Sequence, residues 1–196
     1  MRAGAGLLVR TTPLNDRDFF ATEPAFVEML LDVEKISGRV WEPACGMGHI
    51  SKVLEARKLK VRSSDLFSYG YGEEGIDFLL QNSRSDVIIT NPPFMNNMAE
   101  KFARHAIKLA RKKVILLQRL AWLSSMRRNN FFKETRLSRV YVFSYRMASI
   151  SPQAVEACKT NKDWNDRGVR MIDFAWYVWD LVEKPWPPTL HWIGKS

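Results

Sequence analysis

The chain has 196 residues, 46% of them apolar and 26% charged, with a formal net charge of +9. That length fits one domain with a substantial core, and the balance excludes a disordered or fibrous chain. The positive charge points to a polyanionic partner. No run approaches the roughly 20 apolar residues that cross a membrane, and the opening MRAGAGLLVR holds no signal-peptide stretch, so a cytoplasmic protein is expected. The two cysteines, Cys45 and Cys158, lie far apart without metal-ligand spacing, which predicts no metal site and a reducing compartment.

Residues 1–14 show no periodicity and are expected to be flexible. From Glu23 to Val33, Phe26, Val27, Leu30 and Leu31 follow helical spacing, with Pro24 in the first turn. Short apolar runs then alternate with helical stretches. Strands are predicted at Arg39–Glu42, Lys60–Ser63, Asp86–Thr90, Lys113–Gln118, Arg139–Tyr145 and Asp173–Asp180, and helices at Ile50–Arg57, Met98–Ala110 and Ser125–Thr135. This alternation argues for a parallel sheet covered on both faces, a doubly wound α/β fold. No helix separates the last two strands, which predicts a terminal antiparallel hairpin. Trp176 and Trp179 read as core or sheet-surface residues, and residues 183–196 as an extended tail on a single domain spanning 1–196.

In such sheets ligands bind at the carboxyl ends of the strands. The first loop there is EPACGMG, residues 42–48, where Gly46 and Gly48 allow a tight turn and a close ligand approach. Asp65 follows the next strand, 23 positions after Glu42, close to the spacing of a ribose-binding carboxylate. A dinucleotide loop would continue to a third glycine, but Ser51 stands there. Glu42 would repel a pyrophosphate and suit a cation, so the sulfonium and ammonium of S-adenosylmethionine fit better.

The second loop is TNPPF, residues 90–94. Two prolines end the strand because neither can donate to a ladder. Asn91 would enter the same crevice with a carboxamide oxygen that can accept from an amino group. The Pro92 carbonyl offers a second acceptor, Pro93 stiffens the turn, and Phe94 offers a ring to a planar base. The amine of adenine is a poor nucleophile because its lone pair is delocalised into the ring. Two acceptors holding its hydrogens would favour the form with an exposed lone pair and align it on a methyl group.

These stretches together resemble S-adenosylmethionine-dependent N6-adenine DNA methyltransferases, especially the small phage- and prophage-type enzymes. The resemblance covers roughly residues 15–182. It implies a Rossmann-like fold with a mostly parallel seven-stranded sheet, methyl transfer to a flipped-out adenine in DNA, and a bacterial or phage-infected host. DFFATEP at 18–24, with Phe20 and Thr22, is similar to the segment that meets the methionine end of the cofactor. EPACGMG is similar to the cofactor loop and implies contacts from Glu42, Pro43, Cys45, Gly46 and Gly48. By the same resemblance, Asp65 and Leu66 stand at the ribose, Asp77 and Phe78 at the adenine ring, and Asn91, Pro92, Pro93 and Phe94 in the catalytic motif, with Asn91 also near the cofactor. There is no long insertion for a separate target-recognition domain, which argues against tight sequence specificity. The alternatives are an RNA-adenine or protein-glutamine methyltransferase, or a non-catalytic nucleic-acid-binding module with this fold; Phe94 argues against glutamine, whose methyltransferases usually carry tyrosine there.

Fold logic sorts the basic residues. Arg57, Lys58, Lys60 and the run Arg111–Lys113 precede strands and read as solvated surface on the face away from the crevice. Arg119, Arg127 and Arg128, and Lys159, Lys162, Arg167 and Arg170 in the hairpin loop, read as phosphate contacts at the mouth. Trp164 among them is a candidate to stack on a base or fill the space a flipped base leaves.

Overall fold

The computed structural model describes residues 21–144, 147–149 and 170–194. Helix α1 spans Pro24–Val33, with its proline in the first turn, where no N–H is needed. Strand β1 (Arg39–Glu42) leads through the glycine loop into α2 (His49–Ala56), and β2 follows at Lys60–Ser63. Strand β3 (Ser85–Thr90) precedes α3 (Met98–Leu109) and β4 (Ala110–Arg119); α4 (Met126–Thr135) leads to β5 (Arg139–Phe143). A small ribbon of β6 (Met147–Ser149) and β7 (Arg170–Ile172) comes before β8 (Phe174–Asp180) and β9 (Thr189–Ile193).

The main sheet has seven strands in the order β2-β1-β3-β4-β8-β5-β9. Strands β2, β1, β3 and β4 run parallel, and β8 enters antiparallel between β4 and β5. The expected antiparallel pairing of the last two strand candidates is therefore present, with β8 inside the sheet. The edge belongs to β9, which pairs parallel to β5 from Arg139↔Thr189 to Phe143↔Ile193. That segment was expected only as an extended tail. Its strand begins just after Pro187 and Pro188, residues that cannot join a ladder.

The strand directions place the core on both faces. Under α1 and α2, Phe26, Leu30, Ile50 and Leu54 pack on Val40, Val87, Ile89, Ile115 and Trp176. On the other face, Phe102, Ala106, Phe131 and Phe132 pack on Trp41, Ile88, Val114, Leu116 and Trp179. Alternation along β3, β4 and β8 splits each strand between the two clusters. Trp176 and Trp179 are both core residues on opposite faces. The Trp176 indole donates to the Phe26 carbonyl at 3.1 Å and that of Trp179 to the Thr135 hydroxyl at 3.0 Å, so neither ring buries an unmet N–H.

One basic residue departs from expectation. Strand β4 begins at Ala110, so Arg111, Lys112 and Lys113 lie within it. Lys113 is mostly buried and bonded to Glu34, with the Asp180 carboxylate at 3.8 Å. Arg139 bridges Glu34 at 2.9 Å and Asp180 at 2.9 Å, and the Tyr141 hydroxyl donates to Glu34 at 2.8 Å. Lys113 is thus part of a buried ionic cluster, because β8 brings Asp180 beside it. Arg57, in contrast, bridges Glu28 and Asp32 at the exposed surface.

Candidate active site

Strand β1 leads outward to β2 on one side and β3 lies on its other side, so the carboxyl ends of β1 and β3 flank a switch point. A cavity of about 340 Å³ opens there. Its wall includes Thr22, Glu42, Pro43, Cys45, Gly46, Asp65, Leu66, Asp77, Phe78, Asn91 and Pro93. His49, Ile50, Tyr69, Asn96, Met98 and Phe102, which belong to none of the motif positions, complete much of the wall. His49 and Ile50 follow the glycine loop directly and were legible by position. Asn96 lies in the turn that follows the NPPF motif, and Met98 and Phe102 come from the start of α3, whose distance from the glycine loop hides them.

Glu42 sits at the end of β1, buried, and accepts from the Ser51 amide at 2.8 Å and from the Ser51 hydroxyl. Ser51 in turn shares a 2.6 Å hydrogen bond with Ser63, joining the start of α2 to β2. Burial pushes the Glu42 carboxyl up to about 8 despite these bonds, and nearby Asp65 adds to the rise. Burial thus favours its protonated form, and a cation in the cavity would favour the charged one. Asp65 accepts from the Gly46 amide at 2.8 Å and the Phe67 amide at 2.9 Å. Burial raises its carboxyl, and the amides offset that only in part. Burial also pushes the Cys45 thiol up to about 12, with Glu42 and Asp65 contributing, so it is an inert wall residue.

Gly48 was expected at the ligand, but it lies outside the cavity wall. It caps α2 in the left-handed region at φ 78°, and a side-chain carbon there would meet the Tyr71 ring at 2.4 Å. Its smallness serves the turn and the packing of Tyr71. Gly46 does line the cavity, at φ 51°. Asp77 accepts from the Leu79 amide at 2.9 Å and caps the single turn Phe78–Leu80. The Phe78 ring is buried edge-on against Trp41 at 5.2 Å and near Phe102 at 4.9 Å, so it forms floor beneath the cavity.

Strand β3 ends at Thr90, and Asn91 and Pro93 enter the cavity while Pro92 is buried. The Asn91 amide nitrogen donates to the Thr22 hydroxyl at 3.2 Å, tying the second loop to the segment before α1. Phe94 stands outside the cavity wall, tilted against Phe174 at 5.7 Å with the Arg119 guanidinium 5.3 Å from its centroid. Arg127 is exposed and bridges Glu100 in the first turn of α3 at 3.1 Å. Arg128 donates to the carbonyls of Ala121 at 3.3 Å and Ser124 at 3.4 Å, so it braces its own loop rather than standing free for phosphate. Phe20, Lys159, Lys162, Trp164 and Arg167, and the side chain of Arg170, lie outside the described residues. Among the described residues no group of histidine, cysteine and carboxylates is arranged to hold a metal, and no helix is long and apolar enough to cross a membrane.

Solved structures share this fold. A proposed type I restriction enzyme modification subunit from Vibrio vulnificus is similar over 93% of this chain, with a TM-score of 0.56 and 14% identity. A proposed RNA methyltransferase from Pyrococcus horikoshii is similar over 80% of this chain and 81% of its own, with a TM-score of 0.55 and 15% identity. A proposed class I S-adenosylmethionine-dependent methyltransferase from Listeria monocytogenes covers 86% of this chain and 62% of its own, at a TM-score of 0.52 and 11% identity. The chain spans 49% of the length of the Vibrio subunit. No protein-family model matches the sequence, and no curated protein does. The fold is the Rossmann-like one of S-adenosylmethionine-dependent methyltransferases.

Proposed function

We propose that residues 1–196 form one methyltransferase domain that uses S-adenosylmethionine to methylate N6 of adenine in DNA. The observation that carries this reading is the convergence of Asn91 and Pro93 of the NPPF motif with Glu42, Gly46 and Asp65 on one cavity. The charge pattern supports the cofactor. In a chain of net charge +9, the cavity wall contains Glu42, Asp65 and Asp77 and, among the described residues, neither lysine nor arginine. Such a wall suits a cationic ligand without phosphates and disfavours a pyrophosphate. The apolar Ile50, Leu66, Ile76 and Phe78 suit the remainder of an adenosyl group.

Thr22, Glu42, Gly46, Asp65 and Asp77 are the residues that would hold the cofactor, with Asp65 assigned to the ribose hydroxyls. When bound, it supplies an electrophilic methyl group on a sulfonium. The chain itself contributes acceptors. With its nitrogen on Thr22, Asn91 presents a carboxamide oxygen to the target amine, and the Pro92 carbonyl takes the second hydrogen. Both acceptors then stabilise the positive charge that develops on that nitrogen. Phe94 and Arg119 lie beside this point, where a flipped base would be received.

The similar folds include both a proposed modification subunit and a proposed RNA methyltransferase, so the DNA reading is supported by the NPPF motif and by the net charge of +9, while Phe94 at the end of the motif argues against protein glutamine. The test is transfer of labelled methyl to DNA, RNA and protein in parallel, followed by nucleoside analysis. N6-methyladenine in DNA is expected. Label confined to RNA or to protein would overturn the substrate, and no transfer to any of them would overturn the enzyme.

A further inference from the structure

Phe94 and Arg119 extend from the carboxyl ends of neighbouring parallel strands, β3 and β4. The Phe94 ring packs on the apolar cluster beneath α1 and α2, and Phe174 holds one side of it at 5.7 Å. The exposed Arg119 guanidinium lies over the ring at 5.3 Å from its centroid, too close for a base to enter between them. Among the described residues, Arg127 and Arg128 have oxygen partners, Arg127 on Glu100 and Arg128 on backbone carbonyls. No described oxygen accepts from the Arg119 guanidinium, so an aromatic face is what holds it.

A planar cation and a planar base compete for the same face of Phe94. We infer that Arg119 is the placeholder of the base slot: it covers Phe94 until a strand presents a flipped purine, then exchanges the ring for a phosphate beside that nucleotide. This rests on the adenine reading above. It makes Arg119 a specificity-determining residue that favours a base carried on a polynucleotide over a free nucleoside. The nucleoside must displace the guanidinium and leaves it only water. A strand displaces it and supplies a phosphate oxygen, a charge-assisted partner. An exposed cation–π contact is weak enough to be exchanged and strong enough to bias the competition.

The test measures adenosine binding by NMR titration, with S-adenosylhomocysteine at saturation so that the cofactor cavity is blocked. In Arg119→Ala, adenosine should bind about two- to five-fold more tightly. The same variant should bind single-stranded oligonucleotide more weakly, with the slope of log affinity against log salt reduced by about 0.7. Arg119→Lys should restore that slope, because its ammonium still meets phosphate, which a merely structural role would not predict. Phe94→Ala should weaken adenosine binding in both backgrounds. If Phe94→Ala weakens adenosine but Arg119→Ala leaves it unchanged or weaker, the placeholder is wrong and the base slot stands. If Phe94→Ala has no effect on adenosine, the base slot itself is wrong, and the placeholder falls with it.

Discussion

The two ends of the sheet bury carboxylates in opposite ways. At the end away from the crevice, Glu34 and Asp180 are each about 4% exposed and share Lys113 and Arg139. Burial would raise the Glu34 carboxyl, but its bonds to Lys113, Arg139 and Tyr141 outweigh that and hold it below its ordinary value; Arg139 and the backbone do the same for Asp180. At the crevice end, Glu42 and Asp65 are equally buried, yet their described hydrogen bonds come from amides and a hydroxyl, and both carboxyls are raised. Buried carboxylates with cations complete a structure. Buried carboxylates without them leave a site whose charge a cationic ligand can complete.

The largest expected effect breaks the completed end. Glu34→Ala leaves Lys113 and Arg139 with Asp180 alone, and should cost about 3–5 kcal/mol of stability in urea unfolding. A loss below about 1 kcal/mol would mean the cluster is solvated in solution. At the crevice end, Asn91→Ala should lower the rate of methyl transfer by about 100- to 1,000-fold, near 3–4 kcal/mol, with unchanged unfolding and nearly unchanged cofactor affinity. Near-normal turnover would remove Asn91 from the chemistry.

Asp65→Ala should weaken S-adenosylmethionine binding by roughly 1.5–3 kcal/mol, read by calorimetry, because the variant cannot make charge-assisted bonds to ribose. Glu42 sharpens the contrast through pH. Its folded value of about 8 lies above the ordinary 4.5, so its contribution to stability is complete below 4.5 and declines as pH rises through 8. Across the same interval cofactor affinity should increase, because the carboxylate that forms faces a cation. Glu42→Gln should flatten both profiles. The far end behaves in reverse: with Glu34 and Asp180 lowered, their stabilisation is present above their ordinary values and fades as pH falls.

The smallest effect concerns DNA. Changing Arg119 and Arg127 to Ala should reduce the salt slope of duplex binding by up to about 0.9 for each phosphate that the variant no longer neutralises. Changing Arg111 and Lys112 removes the same charge from the other end and should alter it less. Lys113 does not belong in that control, since removing it breaks the buried cluster. Equal reductions from the two pairs would mean that diffuse charge holds the DNA.

Much of the fold was legible because buried parallel strands are continuous apolar runs, as in Asp86-Val-Ile-Ile-Thr90, and the helices between them keep a 3.6-residue period. Most predicted boundaries fall within a residue or two of the observed ones; β4 is the exception, starting three residues before Lys113. The cavity residues were legible where they end a strand or lie in the loop just after it, as Glu42, Gly46, Asp65 and Asn91 do. Local order along the chain sets which loops emerge at the carboxyl ends.

What the sequence by itself determined was therefore the alternation of strand and helix, the end of the sheet that carries the site, and the residue types offered there. Only the tertiary structure decided the partners. It put β8 between β4 and β5, so that Asp180 meets Lys113 and an apparent surface lysine is mostly withdrawn from solvent. It packed Tyr71 against Gly48, where a side-chain carbon would not fit, and brought Arg119 over Phe94. The reason is physical: hydrophobic period and turn chemistry act over a few neighbouring residues, whereas desolvation and pairing depend on contacts between residues 23 to 67 positions apart, as at Gly48–Tyr71, Phe94–Arg119 and Lys113–Asp180.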